Sequence, residues 1–119
     1  TSAASYQTNN VPVYTVANDG VTVAVDGLYK ITAFQYQVNT SGERVNAAVR
    51  FTINGTVQAG TGANSYQRRL GGHNESTASF VKILNLTGGE KVGINNFAIG
   101  NGGNVTCPAG TLVFIVEQL

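Results

Sequence analysis

The chain contains no Met and no Trp, one Cys, one His and two Pro among 119 residues. Charge is scarce too. Seven Lys and Arg against six Asp and Glu leave a net charge of +1, and charged residues make up 11% of the chain, against about 25% in an ordinary soluble domain. Each shortage excludes something. A lone Cys107 cannot close an internal disulfide, so the fold has to hold by packing, which points away from the bridged extracellular modules. A balance this near neutral points away from a nucleic-acid partner, which draws a basic excess. No apolar run approaches the roughly 18 residues that cross a bilayer, so membrane insertion is not expected. The first residues, Thr1-Ser-Ala-Ala-Ser5, are small and polar and do not read as a signal peptide. A chain that opens on Thr1 and lacks Met reads as a processed product, either trimmed of its initiator or excised from something longer.

What the chain does contain is strand and turn material. There are 15 Val, 6 Ile, 13 Thr, 5 Phe and 5 Tyr, and also 15 Gly and 13 Asn. The first set favours strands and the second favours turns. One all-β domain fits this length, and two do not.

Residues 1–12 are polar and irregular and read as an arm or an edge strand; residues 1–20 are set apart on that ground from a domain over 21–119. Val21-Thr-Val-Ala-Val25 alternates and stops at Asp26-Gly27. Leu28–Val38 is apolar on both faces, with Tyr29, Ile31 and Ala33 on one and Phe34, Tyr36 and Val38 on the other. A strand of this kind is covered on both sides. Either a neighbouring subunit covers its outer face or a β-bulge near Ala33-Phe34 shifts the phase. Val45–Ile53 is the clearest strand, with Val45, Ala47, Val49, Phe51 and Ile53 opposite Asn46, Ala48, Arg50 and Thr52. Asn54-Gly55 then predicts a type I′ hairpin, a turn that needs positive φ at both residues, and Val57 and Ala59 begin the return strand. Residues 60–75 read as a loop with a short strand around Tyr66–Leu70. Ser76–Leu86 puts Ala78, Phe80, Lys82, Leu84 and Leu86 on one face and Val81 and Ile83 on the other. Thr87-Gly-Gly-Glu90 turns the chain into Lys91–Ile99, where Val92 and Ile94 give way to Phe97 and Ile99 with a change of phase. Gly100–Asn104 is a loop, and Thr111–Leu119 closes the chain with Leu112, Phe114 and Val116 opposite Val113 and Ile115. Short strands with a turn signal every 8–12 residues or so predict an antiparallel sandwich or jelly roll.

Chemistry is hard to place on this chain. A nucleophile needs a base beside it, and the single candidate pair, Cys107 with His73, exists only if the fold joins them. A lone Cys more often acts as a small buried apolar group. The carboxylates Asp19, Asp26, Glu43, Glu75, Glu90 and Glu117 fall at turns or strand ends and do not read as a catalytic pair. There is no metal-ligand spacing, and Gly100–Asn104 has only a faint likeness to a calcium-binding repeat. Gly88-Gly-Glu-Lys91 lacks the spacing of a phosphate loop. The chain is therefore expected to be no enzyme and to need no cofactor or metal. Arg68-Arg69 with His73 is the one basic cluster; it reads as an exposed pair on a loop or as a contact for an anionic partner such as a sugar acid or a phosphate. Tyr66 lies in the same stretch, where an exposed ring can stack on a sugar. Asn39, Asn54, Asn74, Asn85 and Asn104 head Asn-x-Ser/Thr triplets, acceptors only on a eukaryotic secretory route.

Four stretches share their order and spacing with one family. Val21-Thr-Val-Ala-Val-Asp-Gly-Leu-Tyr-Lys-Ile31 resembles its strand with an aromatic after Gly. Val49-Arg-Phe-Thr-Ile-Asn-Gly55 resembles its strand ending in an Asn-Gly hairpin. Ser79-Phe-Val-Lys-Ile-Leu-Asn-Leu-Thr-Gly-Gly-Glu-Lys-Val92 resembles its leucine-then-Gly-acid-x-Val turn, with Glu90 in the acidic place. Thr111–Leu119 resembles its closing strand. On these residues the chain resembles the C1q/TNF-like jelly roll, bacterial and phage forms included. The resemblance implies a ten-strand, two-sheet sandwich in a tight homotrimer, with inner sheets packed about the axis. It would account for the doubly apolar strands Leu28–Val38, Ser76–Leu86 and Thr111–Leu119. The chain departs from the animal members in lacking much of their aromatic content and any cysteine pair, which argues against a cytokine or complement role.

These readings lead to the expectation of a non-enzymatic, homotrimeric virion surface protein. Foremost is a bacteriophage capsid decoration (cement) protein on the head exterior, bound to the major capsid protein or other virion proteins and stabilising the shell by mass action. The second reading is a receptor-binding head of a tail or head fibre that contacts host surface glycan, and the third is a secreted C1q-like binding module. Trimer contacts are expected from Tyr29, Ile31, Val81, Ile83, Val113 and Ile115. A partner-binding loop is expected from Tyr66, Arg68, Arg69 and His73, and a capsid-contact arm from Tyr6, Val11 and Tyr14.

Overall fold

The structure, a computed structural model, describes residues 14–17, 20–60, 62–68, 72–99, 105–108 and 111–119. They form the strands β1 (Tyr14–Ala17), β2 (Gly20–Val23), β3 (Gly27–Asn39), β4 (Val45–Ile53), β5 (Thr56–Val57), β6 (Ala63–Gln67), β7 (Glu75–Leu86), β8 (Lys91–Ile99), β9 (Val105–Thr106) and β10 (Leu112–Gln118). A six-stranded sheet runs β1-β2-β8-β4, with β5 and β6 both on the far edge of β4. A four-stranded sheet runs β10-β3-β7, with β9 also on β3. All pairings are antiparallel. From β2 onward the chain crosses from one sheet to the other and back: β3 joins the second sheet, β4 to β6 the first, β7 the second, β8 the first, and β9 and β10 the second. That alternation makes the sandwich a jelly roll.

Local chemistry fixes the turns. Asn54 and Gly55 have φ of 51° and 82°, so the hairpin after β4 is of the expected type. Its return strand is only Thr56–Val57, and a second return strand, β6, lies at Ala63–Gln67 rather than at Tyr66–Leu70. Gly62, at φ 104°, passes directly over the Val49 carbonyl, where a side chain would have no room. β9 and β10 lie along the same edge of β3. Pro108, which has no N–H to give a ladder, stands in the break between them.

The core lies between the sheets at the end where Val23, Tyr29, Ile31, Phe51, Leu86 and Val92 meet, all fully or almost fully buried. The Tyr29 hydroxyl stays paired there by donating to the Val25 carbonyl at 2.7 Å. Toward the other end the inward positions of β3 change from Tyr29, Ile31 and Ala33 to Gln35, Gln37 and Asn39. The pairing of β3 with β7 runs without a slip from Gly27↔Leu86 to Val38↔Glu75, so the bulge near Ala33-Phe34 is not there. The sequence changes character while the phase holds. The buried polar side chains pair in part with one another: Ser65 Oγ donates to Gln37 Oε1 at 2.6 Å, Gln67 Nε2 donates to Ser65 Oγ at 2.7 Å, and Gln37 Nε2 reaches Asn96 Oδ1 at 3.3 Å, while Gln67 Oε1 has no partner among the described residues. In β8 the register with β4 is likewise continuous from Asn46↔Ile99 to Ile53↔Val92, so the apolar residues pass from the inward Val92 and Ile94 to the outward Phe97 and Ile99 without a bulge.

Candidate functional site

Unbroken register leaves the even positions of β3 pointing out of the sandwich. With their neighbours on β7 and β10 they build an exposed apolar face. The rows are Val113–Phe34–Ser79, Ile115–Thr32–Val81 and Glu117–Lys30–Ile83. Leu28, Phe34, Val81, Ile83, Val113 and Ile115 are each between 43% and 57% exposed. Large apolar side chains concentrated on one sheet face mark an interaction surface rather than scattered surface hydrophobes. The only charges within these rows are Lys30 and Glu117, which face each other at 3.9 Å.

This face corrects part of the expected trimer set. Val81, Ile83, Val113 and Ile115 lie on it. Tyr29 and Ile31 do not: both are 0% exposed and point into the core. The phase of β3 decides this, because Ile31 pairs with Lys82 and Val116 on the inward side while Thr32 stands between Val81 and Ile115 on the outward side. Leu28 and Phe34 take the places given to Tyr29 and Ile31. Lys82 follows the inward phase of edge strand β7 and reaches solvent, and such a lysine discourages further strand pairing at the edge.

Tyr14 is also relocated. Instead of serving a free arm, it begins β1 and packs edge-on against Tyr29, with ring centroids 6.3 Å apart. Its hydroxyl accepts the Gln118 N–H at 2.7 Å, which ties the start of the described chain to β10. Tyr6 and Val11 lie outside the described residues.

At the polar end of the sandwich, Tyr66 and Arg68 are exposed at the end of β6, and His73 follows in the turn to β7. The Arg68 N–H donates to the His73 carbonyl at 3.0 Å, so these two parts of the expected loop are brought together; Arg69 lies outside the described residues. A shallow cleft of about 420 Å³ lies against His73, Asn74 and Glu75. No hydrogen bond joins His73 to Cys107 among the described residues, and burial pushes the Cys107 thiol above its ordinary range, which keeps it a thiol. Among the described residues no three His, Cys, Asp or Glu side chains gather as metal ligands. Of the triplet asparagines, Asn39 is buried and bonds Glu43 and Arg68 carbonyls, while Asn54 and Asn85 are exposed. Gly100–Asn104 lies outside the described residues.

The outer face of the six-stranded sheet holds a group that sequence reasoning passed over. Arg50, half-buried on β4, donates Nη1 to the Val49 and Ala63 carbonyls at 3.0 and 3.2 Å and Nη2 to Asn64 Oδ1 at 2.9 Å. Its guanidinium lies 5.5 Å from the centre of the Phe97 ring, within reach of a cation–π attraction. A cleft of about 230 Å³ opens beside it, lined by Gly60, Gly62, Ala63 and Asn64. The alternation of β4 and β8 marks Arg50 and Phe97 as outward-facing, but their contact depends on the pairing of two strands far apart in the chain.

No family model matches the chain. No curated protein matches it either. Among solved structures, the Eiger TNF from S. frugiperda superimposes with a TM-score of 0.54 at 14% sequence identity, over 89% of this chain and 68% of that one. Identity this low speaks to architecture alone. The chain is an all-β, two-sheet jelly-roll sandwich with a TNF-like fold.

Proposed function

We propose that the protein is a homotrimeric, non-enzymatic surface module of a virion, acting as a capsid decoration protein. The observation that carries the proposal is the apolar face of the β10-β3-β7 sheet. Burial of apolar surface contributes about 25 cal/mol per Å², and each chain carries the same face. A cyclic assembly around one axis buries all copies at once and leaves none to extend a filament. The TNF-like fold and the expected family assembly support three copies. A trimer that binds only the assembled shell then stabilises that shell by mass action. The sparse charge supports a binding role over a chemical one. Two experiments test the reading in turn: light scattering of the purified protein for its mass, then co-sedimentation with heads of the phage that encodes it. Binding to intact host cells instead of heads would contradict the decoration role. It would favour the second reading, a receptor-binding head, which the exposed Tyr66 and Arg68 at one end of the sandwich support.

A further inference from the structure

Across the outer face of the six-stranded sheet, register sets the rows Tyr66–Asn46–Ile99 and Asn64–Ala48–Phe97, with Arg50 opposite Asn95 in the next position. Two aromatic residues therefore stand on β6 and β8, diagonally across the β4 residues Asn46 and Ala48, with a backbone span of about 12 Å set by two strand spacings and a two-residue offset. Tyr66 is 55% exposed and Phe97 37%. Between and beside them stand carboxamides, each both donor and acceptor, the chemistry that matches paired sugar hydroxyls. Arg50 and Lys91 are the charged residues at outward positions of β4, β6 and β8; just past the strand ends stand Arg68 and Arg44, the latter beside the exposed Glu43, and Glu90 precedes Lys91. Arg50 is oriented by two carbonyls and the Asn64 amide and makes no ion pair among the described residues. Three of its five N–H donors are used, and the residue lines the cleft beside it with Gly60, Gly62, Ala63 and Asn64.

We propose that this face binds an acidic polysaccharide. Tyr66, and Phe97 by the ring face that Arg50 does not cover, stack on the C–H faces of the sugar rings, Asn46, Asn95 and the Asn64 Nδ2 serve the hydroxyls, and Arg50 takes the carboxylate. The proposal deepens the receptor-binding reading by naming the ligand class and does not require the trimer: the face lies on the opposite sheet from the apolar one. The test is calorimetric titration of the full chain with oligogalacturonate, with neutral dextran oligomers of equal length and with an oligothymidylate. The expected result is binding of oligogalacturonate, at least tenfold weaker binding of dextran and of oligothymidylate, and about tenfold loss of oligogalacturonate affinity in Tyr66→Ala and in Phe97→Ala. Both substitutions are at exposed positions, and unchanged melting temperatures show that the variants fold. No binding of oligogalacturonate, equal affinity in both alanine variants, or equally tight binding of dextran or oligothymidylate would overturn the proposal. The native mass of the same samples reports on the trimer separately, so either idea can fail alone.

Discussion

Phe51 of β4 and Phe80 of β7 meet between the two sheets with ring centroids 4.3 Å apart and planes tilted by 58°. Phe51 has no exposed surface and belongs to the cluster that holds the sandwich closed. Its truncation removes ring burial and leaves a cavity. Phe51→Ala is expected to cost about 3–5 kcal/mol in urea unfolding, a large share of the 5–15 kcal/mol or so available to a domain. A double-mutant cycle with Phe80→Ala should show coupling of about 0.5–1.5 kcal/mol.

Tyr29 sets a limit at high pH. Burial pushes its phenol above the ordinary 10.0, with Tyr14 and Asp26 adding to the rise and the hydrogen bond to Val25 opposing it. The folded state thus holds the phenolic proton more tightly than the unfolded state does. The resulting stability is intact below pH 10 and is lost as pH climbs through the raised value. Chemical unfolding as a function of pH should show a fall above pH 10 that is smaller in Tyr29→Phe.

Two glycines separate backbone strain from crowding. Gly55, at φ 82°, has open space around it, so Gly55→Ala should cost about 1–2 kcal/mol for the left-handed conformation alone. Gly62, at φ 104°, would also drive its new methyl into the Val49 carbonyl. Gly62→Ala should lower the melting temperature well beyond Gly55→Ala. Equal shifts in the two variants would mean that the loop over β4 yields freely.

The apolar face can be broken without touching the core. Ile83 is 55% exposed and Val57, on the other sheet, 44%. Ile83→Asp is expected to reduce the native mass to that of one chain while retaining the β-sheet spectrum, and Val57→Asp to leave the mass unchanged. Loss of mass in both variants would point to general solubility effects instead of a specific face.

Much of this sandwich can be read from the residues. Val45–Ile53 shows one clean apolar face and ends in Asn54-Gly55, so its length, its phase and its turn all follow from local chemistry. β3 is harder because both faces are apolar. Period alone cannot say which set turns inward, and the answer lies in its partners: Val116 and Lys82 beside Ile31, Ile115 and Val81 beside Thr32. Tyr29 and Ile31 were misplaced for that reason. The two-residue strands β5 and β9 are too short to carry a period. Arg50 over Phe97 was invisible because it depends on the register of β4 with β8, not on either segment alone.

The most direct measurement is the mass of the native protein, by light scattering on a sizing column at neutral pH. The proposed trimer predicts a particle of three times the 12.4 kDa chain. A stable monomer at micromolar concentration would contradict the account, because the exposed face of β3, β7 and β10 would then have no partner in its own kind.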